Sequence, residues 1–376
     1  MQLTYKFRLY PNKSQENKLL ETLELCRQTY NYFLSQWNGK NRIPNRLELQ
    51  AQLPELKKEA PKLNKAHSKV LQMVLYQLYS NLKALSRLKK NGKKVGRLRY
   101  KGKWFKTFCY NQSGFKITRT WKRLDSLHLS KIGDIPIRLH REIKGKMKQV
   151  IVKRHNSGRW FAYICVESDS QAEDRRIQKA VGLDMGIKHF LTDSEGRQIE
   201  NPKFYERTLE KIRAEQKKLS RKEGDSQNYG KQRIKLVKLY ERLANQRDDF
   251  LHKLSRFYVN DYGLIAVENL NIKGMIRNHG LAGKILDASW GKFLHMLSYK
   301  AENAGRIIVK VDPRGTSKEY KYGELDRDYN ASLNVLMRAL SGSGRPSAPV
   351  EIEPLPEVIS ASSIIEAGSP QPFRRG

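Results

Sequence analysis

Cysteine is scarce in this chain: Cys26, Cys109 and Cys165 lie far apart, with no C-x-x-C among them. An odd, dispersed set excludes a disulfide framework and a cysteine-built zinc site, so buried thiols in a reducing compartment are expected. No run of about 20 apolar residues occurs, and no membrane-spanning helix or membrane partner is expected. The opening MQLTYKFRLYPNK lacks the apolar core of a secretory leader, which points to a cytoplasmic protein. The patterns G-x-x-x-x-G-K-[ST], G-x-S-x-G and H-E-x-x-H are also absent, and the eight histidines show no ligand spacing. Nucleotide-driven motor and serine-hydrolase chemistries therefore have no support. Negative charge is the other shortage. Against 73 Lys and Arg stand 38 Asp and Glu, a net charge of +35 over 376 residues. Self-repulsion of that size opposes compaction, and a nucleic acid relieves it by releasing counterions, so nucleic acid is the expected partner.

The chain is long enough for two or three domains. Residues 3–9 alternate apolar and basic side chains, with Leu3, Tyr5, Phe7 and Leu9 on one face and Lys6 and Arg8 on the other, and read as a strand. A helix follows, with Ser14 or Asn12 as N-cap and Leu19, Leu23, Cys26, Tyr30, Phe33 and Trp37 in its stripe. Residues 38–67 are polar and broken by Pro44, Pro54 and Pro61. A second helix is predicted over 68–90, with Leu71, Leu75, Leu78, Leu82 and Leu85 inward. Residues 97–167 read as strands, with a hairpin around Gly133-Asp134 and another turning at Asn156-Ser157-Gly158. With residues 3–9 they could close a small antiparallel barrel. After a polar linker at 168–178, KAVGLDMG (179–186), HFLTDS (189–194) and RQIE (197–200) read as an antiparallel meander. Charged helices at 203–222 and 226–260 form a hairpin with a wide cationic face. A strand at 264–270, a helix at 287–305, a strand at 306–313 and a helix at 328–340 follow, and the tail from Ser341 is rich in Ser, Pro and Glu, a composition that favours disorder.

Three carboxylates stand out. Asp184 ends the apolar run Ala-Val-Gly-Leu, Glu268 ends Leu-Ile-Ala-Val, and Asp328 opens the last helix. A carboxylate embedded in a buried strand is costly unless paired or bound to a cation. Acids from separate strand ends can converge on Mg²⁺, which prefers oxygen ligands, and two such ions can serve phosphodiester hydrolysis. Each acid alone has an ordinary alternative. Asp184 could begin a turn before Gly186, Glu268 could pair with a Lys or Arg, and Asp328 could be an N-cap, with Asp326 as a rival.

The order strand–Asp, strand–Glu, helix–Asp carries a resemblance. VGLDMGIKHFLTDSEG (181–196), IAVENLNIKGM (265–275) and LDRDYNASLNVL (325–336) resemble the three motifs of a RuvC-type, RNase H-like nuclease. More narrowly, they are similar to the TnpB (OrfB) family of insertion-sequence proteins, relatives of type V CRISPR effectors. YKFRLYPNKSQ (5–15), QRDDFLHKLS (246–255), VDPRGTSKE (311–319) and ASSIIEAGSP (361–370) extend the resemblance over nearly the whole chain.

The resemblance implies a multidomain α+β and α/β protein. A β-barrel wedge domain (1–10 and 96–170) would be interrupted by a helical recognition domain (11–95). A RuvC-like nuclease domain (178–340) would carry the helical hairpin 203–260 and a shortened loop at 314–327, ahead of a disordered tail (341–376). It implies an RNA-guided, Mg²⁺-dependent DNA endonuclease with Asp184, Glu268 and Asp328 as catalytic ligands of two Mg²⁺ ions and Asp326 and Asn330 in support. Its partners would be a guide RNA from the element's end and double-stranded DNA with a short adjacent motif, with the chain a monomer in a nucleoid-associated ribonucleoprotein of a prokaryote. Lys6, Arg8, Ser68, Gln72, Asn111 and Gln112 are candidate nucleic-acid contacts, ordinary surface being the alternative. One departure stands out. Family members usually carry two C-x-x-C pairs after the T-S dipeptide, whereas Thr316-Ser317 here runs to Asp326 without a cysteine. No zinc is expected, and the second functional reading is RNA-guided DNA binding with weak or no cleavage.

Overall fold

In a computed structural model the structure describes residues 2–37, 45–103, 105–120, 123–167, 179–316 and 326–342. The linker at 168–178, most of the loop at 314–327 and the tail beyond 342 lie outside the described residues. The chain forms two compact units, 1–170 and 171–376.

In the first unit, strand β1 (Gln2–Leu9) buries Phe7 and Leu9 and turns Lys6 and Arg8 to its other face. Helix α1 (Lys13–Trp37) is opened by Asn12, not Ser14. The Asn12 Oδ1 accepts from Gln15 N at 2.8 Å while Gln15 Oε1 accepts from Asn12 N at 3.0 Å, a reciprocal capping box. Two of the prolines expected as breakers instead start short helices, and Pro44 lies outside the described residues. Pro54 lies in the first turn of α3 (Leu53–Glu59), after α2 (Arg46–Ala51), and Pro61 begins a 3-10 helix to Lys65. A first-turn proline gives up an N–H that has no helical partner anyway. Helix α4 (Ser68–Lys90) buries Val70, Leu71, Val74, Leu75 and Leu78, while Leu82 and Leu85 are half-buried.

The strands β2 (Thr107–Asn111), β3 (Phe115–Thr118), β4 (Asp125–Leu129), β5 (Gly133–Arg138), β6 (Lys146–Arg154) and β7 (Trp160–Glu167) join β1 in one antiparallel sheet. Its order is β2-β6-β7-β1-β5-β4-β3. The edge strands β2 and β3 are consecutive in the chain, so the sheet curls until its edges come near. Among the described residues no ladder joins them, so the expected barrel is nearly closed rather than closed. The hairpin expected around Gly133-Asp134 turns earlier, at residues 130–132. Lys131 takes the left-handed φ of 72° there, and Gly133 is already paired with Leu129.

The second unit is built on β8 (Ala180–Asp184), β9 (His189–Asp193), β10 (Gln198–Glu200), β11 (Leu264–Glu268) and β12 (Ile307–Val311), in the order β10-β9-β8-β11-β12. β10, β9 and β8 are antiparallel, whereas β8, β11 and β12 are parallel. Every residue of β11 is buried, as a central parallel strand covered on both faces requires. Between β10 and β11 run the antiparallel helices α5 (Phe204–Ser220) and α6 (Gln227–Asp261). Short helices α7 (Ile272–Met275) and α8 (His279–Ala288) lead to α9 (Trp290–Asn303). The single helix expected over 287–305 is thus interrupted by Ser289, which takes a left-handed φ of 57°. Asp287 accepts from Tyr205 N with both oxygens at 3.1 Å and from Arg247 at 2.5 Å, so it caps α5 from afar and anchors the corner. Helix α10 (Arg327–Gly342) closes the unit by packing across β8.

Candidate active site

β8 and β11 are in register from Leu264–Ala180 to Val267–Leu183. One further step sets Glu268 beside Asp184, the last residue of each strand. Neighbouring strands lie about 4.8 Å apart and side chains at matched positions share a face. The two acids therefore stand together at the carboxyl edge of the parallel part of the sheet. Asp328 arrives from the first turn of α10. Its Oδ2 lies 3.9 Å from the point a Cβ would occupy on Gly186, two residues beyond Asp184.

The electrostatics express this convergence. Burial, then the charges of Glu268 and Asp328, push the Asp184 carboxyl up to about 7, with Arg327 in partial opposition. Burial also raises Glu268, against a hydrogen bond from Thr316 and the charge of Arg338. The Thr316 hydroxyl donates to Glu268 Oε1 at 2.6 Å, and Thr316 O accepts from Asn334 Nδ2 at 2.8 Å.

Among the described residues, the partners of the three acids bear on their ordinary alternatives. Asp184 makes no side-chain hydrogen bond to a described residue, so it is not a turn-forming acid. Glu268 forms no ion pair with a described residue. The N-cap of α10 is Asp326, whose Oδ1 accepts from Asp328 N at 3.1 Å and Tyr329 N at 3.2 Å, which releases Asp328 from that task. Gln198 on β10 reaches the same oxygen at 3.5 Å. Asn330 is fully buried on α10 and donates its N–H to Asp326 O. Among the described residues, no three His, Cys, Asp or Glu side chains form a ready metal cage.

The other candidates belong to the first unit. His67, next to Ser68, packs against the Tyr110 ring in a tilted pair, centroids 5.6 Å apart, and stands 2.9 Å from a Cβ position on Gly114. This brings the start of α4, with Ser68 and Gln72, beside the β2–β3 turn carrying Asn111 and Gln112. Ser68 Oγ accepts from Lys57 Nζ at 2.7 Å. Lys6 and Arg8 belong elsewhere, on the outward face of β1. Lys6 Nζ is 4.7 Å from the Phe161 ring centroid, and the Arg8 guanidinium is 5.1 Å from that of Tyr10. Neither Thr316 nor Gln198 carries a sequence signal of its own as a site residue. Thr316 is marked only by the T-S dipeptide of the motif at 311–319.

A mixed five-stranded sheet with acids on adjacent parallel strand ends and on the helix across them defines an α/β protein with an acidic site. A family model described as "Probable transposase" matches residues 163–279, one described as "Helix-turn-helix domain" matches 1–40, and one described as "Cas12f1-like, TNB domain" matches 290–324. The described residues of the 1–40 match, 2–37, hold β1 and α1. A Streptomyces pristinaespiralis protein named "Putative RNA-guided DNA endonuclease" is 30% identical over 369 residues, 90% of each chain. InsQ of Escherichia coli (strain K12), which bears the same designation, is 28% identical over 346 residues, 85% of this chain and 82% of that protein. A cryo-EM structure of a Cas12f1–sgRNA–target DNA complex is similar in fold, with a TM-score of 0.52 at 13% identity over 87% of this chain and 83% of that one. The chain belongs to the TnpB (OrfB) family of insertion-sequence proteins, relatives of the Cas12 nucleases.

Proposed function

We propose that this protein is an RNA-guided, Mg²⁺-dependent DNA endonuclease whose second unit is a RuvC-type, RNase H-like nuclease. The observation that carries the reading is the meeting of Asp184 and Glu268 at adjacent parallel strand ends, with Asp328 beside Gly186, a placement in keeping with the raised Asp184 carboxyl. Carboxylates from two strand ends and a helix start, with the charges of the other two acids bearing on Asp184, suit a hard divalent cation. The lack of a ready cage does not oppose this, because Mg²⁺ is usually held by one or two carboxylates with waters and substrate phosphates. Asp184, Glu268 and Asp328 would hold the metal, and Asp326 would orient Asp328 by capping α10. When bound, Mg²⁺ ions supply the charge that activates water and stabilises the leaving oxygen of a phosphodiester.

The first unit would serve as wedge (1–10 and 96–170) and recognition (11–95) domains. Ser68, Gln72, Asn111 and Gln112 would face the short DNA motif, and the basic hairpin α5–α6 would line the guide–target duplex. A net charge of +35 supports phosphate contacts of that extent. The names of the relatives support the same activity.

The second reading, guided binding without efficient cleavage, is favoured by one observation: no cysteine follows Cys165, so the region similar to the TNB domain has no thiolates for zinc. Cleavage of a supercoiled plasmid library with randomised flanks, using the chain with its copurifying RNA and Mg²⁺, separates the two. D184A is expected to abolish cutting while RNA binding survives, and undiminished cutting by that variant refutes the nuclease assignment.

A further inference from the structure

Thr316 and Glu268 are both buried, at 1% and 6% exposure. The Thr316 hydroxyl lies 2.6 Å from Glu268 Oε1 and 2.9 Å from Pro313 O. Both neighbours are acceptors and a hydroxyl has one proton to give. The charged oxygen is the stronger partner, so the proton goes to Glu268. Glu268 Oε2 has no hydrogen-bond partner among the described residues. One carboxylate oxygen is thus pinned by Thr316, while the other meets no donor among the described residues. The backbone of Thr316 is itself held, because its carbonyl accepts from Asn334 Nδ2 at 2.8 Å, and Asn334 is buried on α10, the helix that bears Asp328. β-Branching at Thr316 restricts the torsion that aims the hydroxyl.

We propose that Thr316 is a positioning residue for the acidic site. Its hydroxyl sets which oxygen of Glu268 faces the metal, and its carbonyl, through Asn334, keys that carboxylate to the helix carrying Asp328. The inference rests on the reading of Glu268 as a metal ligand. Such outer partners matter because a buried carboxylate with no fixed donor can rotate, and an ion then has to order it on binding.

The test measures Mn²⁺ binding by electron paramagnetic resonance to the full chain with its copurifying RNA, alongside thermal unfolding of each variant. T316V removes the donor at nearly constant shape, and T316S keeps it. T316V is expected to weaken Mn²⁺ binding about 10–100-fold and T316S only about threefold or less. Wild-type affinity in T316V overturns the inference, as does a loss in T316S equal to that in T316V. Should T316V unfold, N334A decides: the inference requires it to weaken Mn²⁺ binding where T316S does not, and unchanged binding in N334A overturns it. E268Q keeps the two readings apart. If E268Q binds Mn²⁺ normally, the acidic-site reading fails. If E268Q loses the ion and T316V keeps it, only the role of Thr316 fails.

Discussion

Gly182 lies directly beneath Ser332: a Cβ on this glycine would stand 2.1 Å from the Ser332 carbonyl oxygen and 2.7 Å from Leu336 N. The close approach seats α10 on β8 and fixes the height at which Asp328 enters the site, two residues from Asp184 along β8. G182A is expected to lift α10 and to cost about 1–3 kcal/mol, as overpacking does. Urea unfolding measures the cost. If G182A unfolds at the wild-type urea midpoint, the contact is not what holds the helix.

Asp287 offers a second point of leverage. Helix α5 has no side-chain cap of its own, since Lys203 precedes it in a left-handed conformation, and the distant Asp287 supplies the acceptor while also bonding Arg247. D287A strips the cap and leaves a three-quarters-buried guanidinium unpaired. A loss of about 2 kcal/mol is expected, within the range for hydrogen bonds to charged groups. Amide exchange should quicken in the first turn of α5 more than at its end, and uniform exchange along α5 would count against the capping role.

Lys300 predicts a rise of stability with pH. It is 5% exposed, and its Nζ donates to His252 O at 2.6 Å and Ser255 Oγ at 2.8 Å. Burial, with some help from Arg256, pulls its ammonium from the ordinary 10.5 down to about 8. Between those values the unfolded chain holds the proton and the folded chain does not. Stability should therefore increase as pH goes from 8 to 10.5, by roughly 3 kcal/mol at most, and K300M should lack that increase. Denaturant unfolding of both proteins across this range checks it, since other titrations cancel in the difference.

The hairpin α5–α6 predicts a salt effect. Lys217, Lys235 and Lys238 are exposed on it. If they meet phosphates, each Lys→Gln change should lower the steepness of log K against log salt for the copurifying RNA by about 0.7–0.9. Filter binding over a salt series measures this, and unaltered slopes would make the hairpin a merely solvated surface.

Much of the local structure was legible. Strand alternation located β1, β6 and β7, and helical spacing placed α4 at its observed ends, because burial periodicity is a property of adjacent residues. Features set by competition were not. Asn12 outranks Ser14 because Gln15 reciprocates its bond, Ser289 ends α8 in a left-handed C-cap within a continuous helical pattern, and the turn at 130–132 precedes the Gly-Asp pair that suggested it. Thr316 was invisible as a partner of Glu268, since nothing near it in the chain hints at a buried acid.

Sequence by itself determined the charge, the scarcity of thiols, the family, and the three acids at the ends of their elements. Those are local facts, written in composition and short motifs. Only the tertiary structure decided that Asp184 and Glu268 are neighbours across a parallel ladder, that Asp326 rather than Asp328 caps α10, and that Thr316 holds Glu268. Each of these depends on strand register and helix height, which arise when separate stretches of chain exclude water from a shared face.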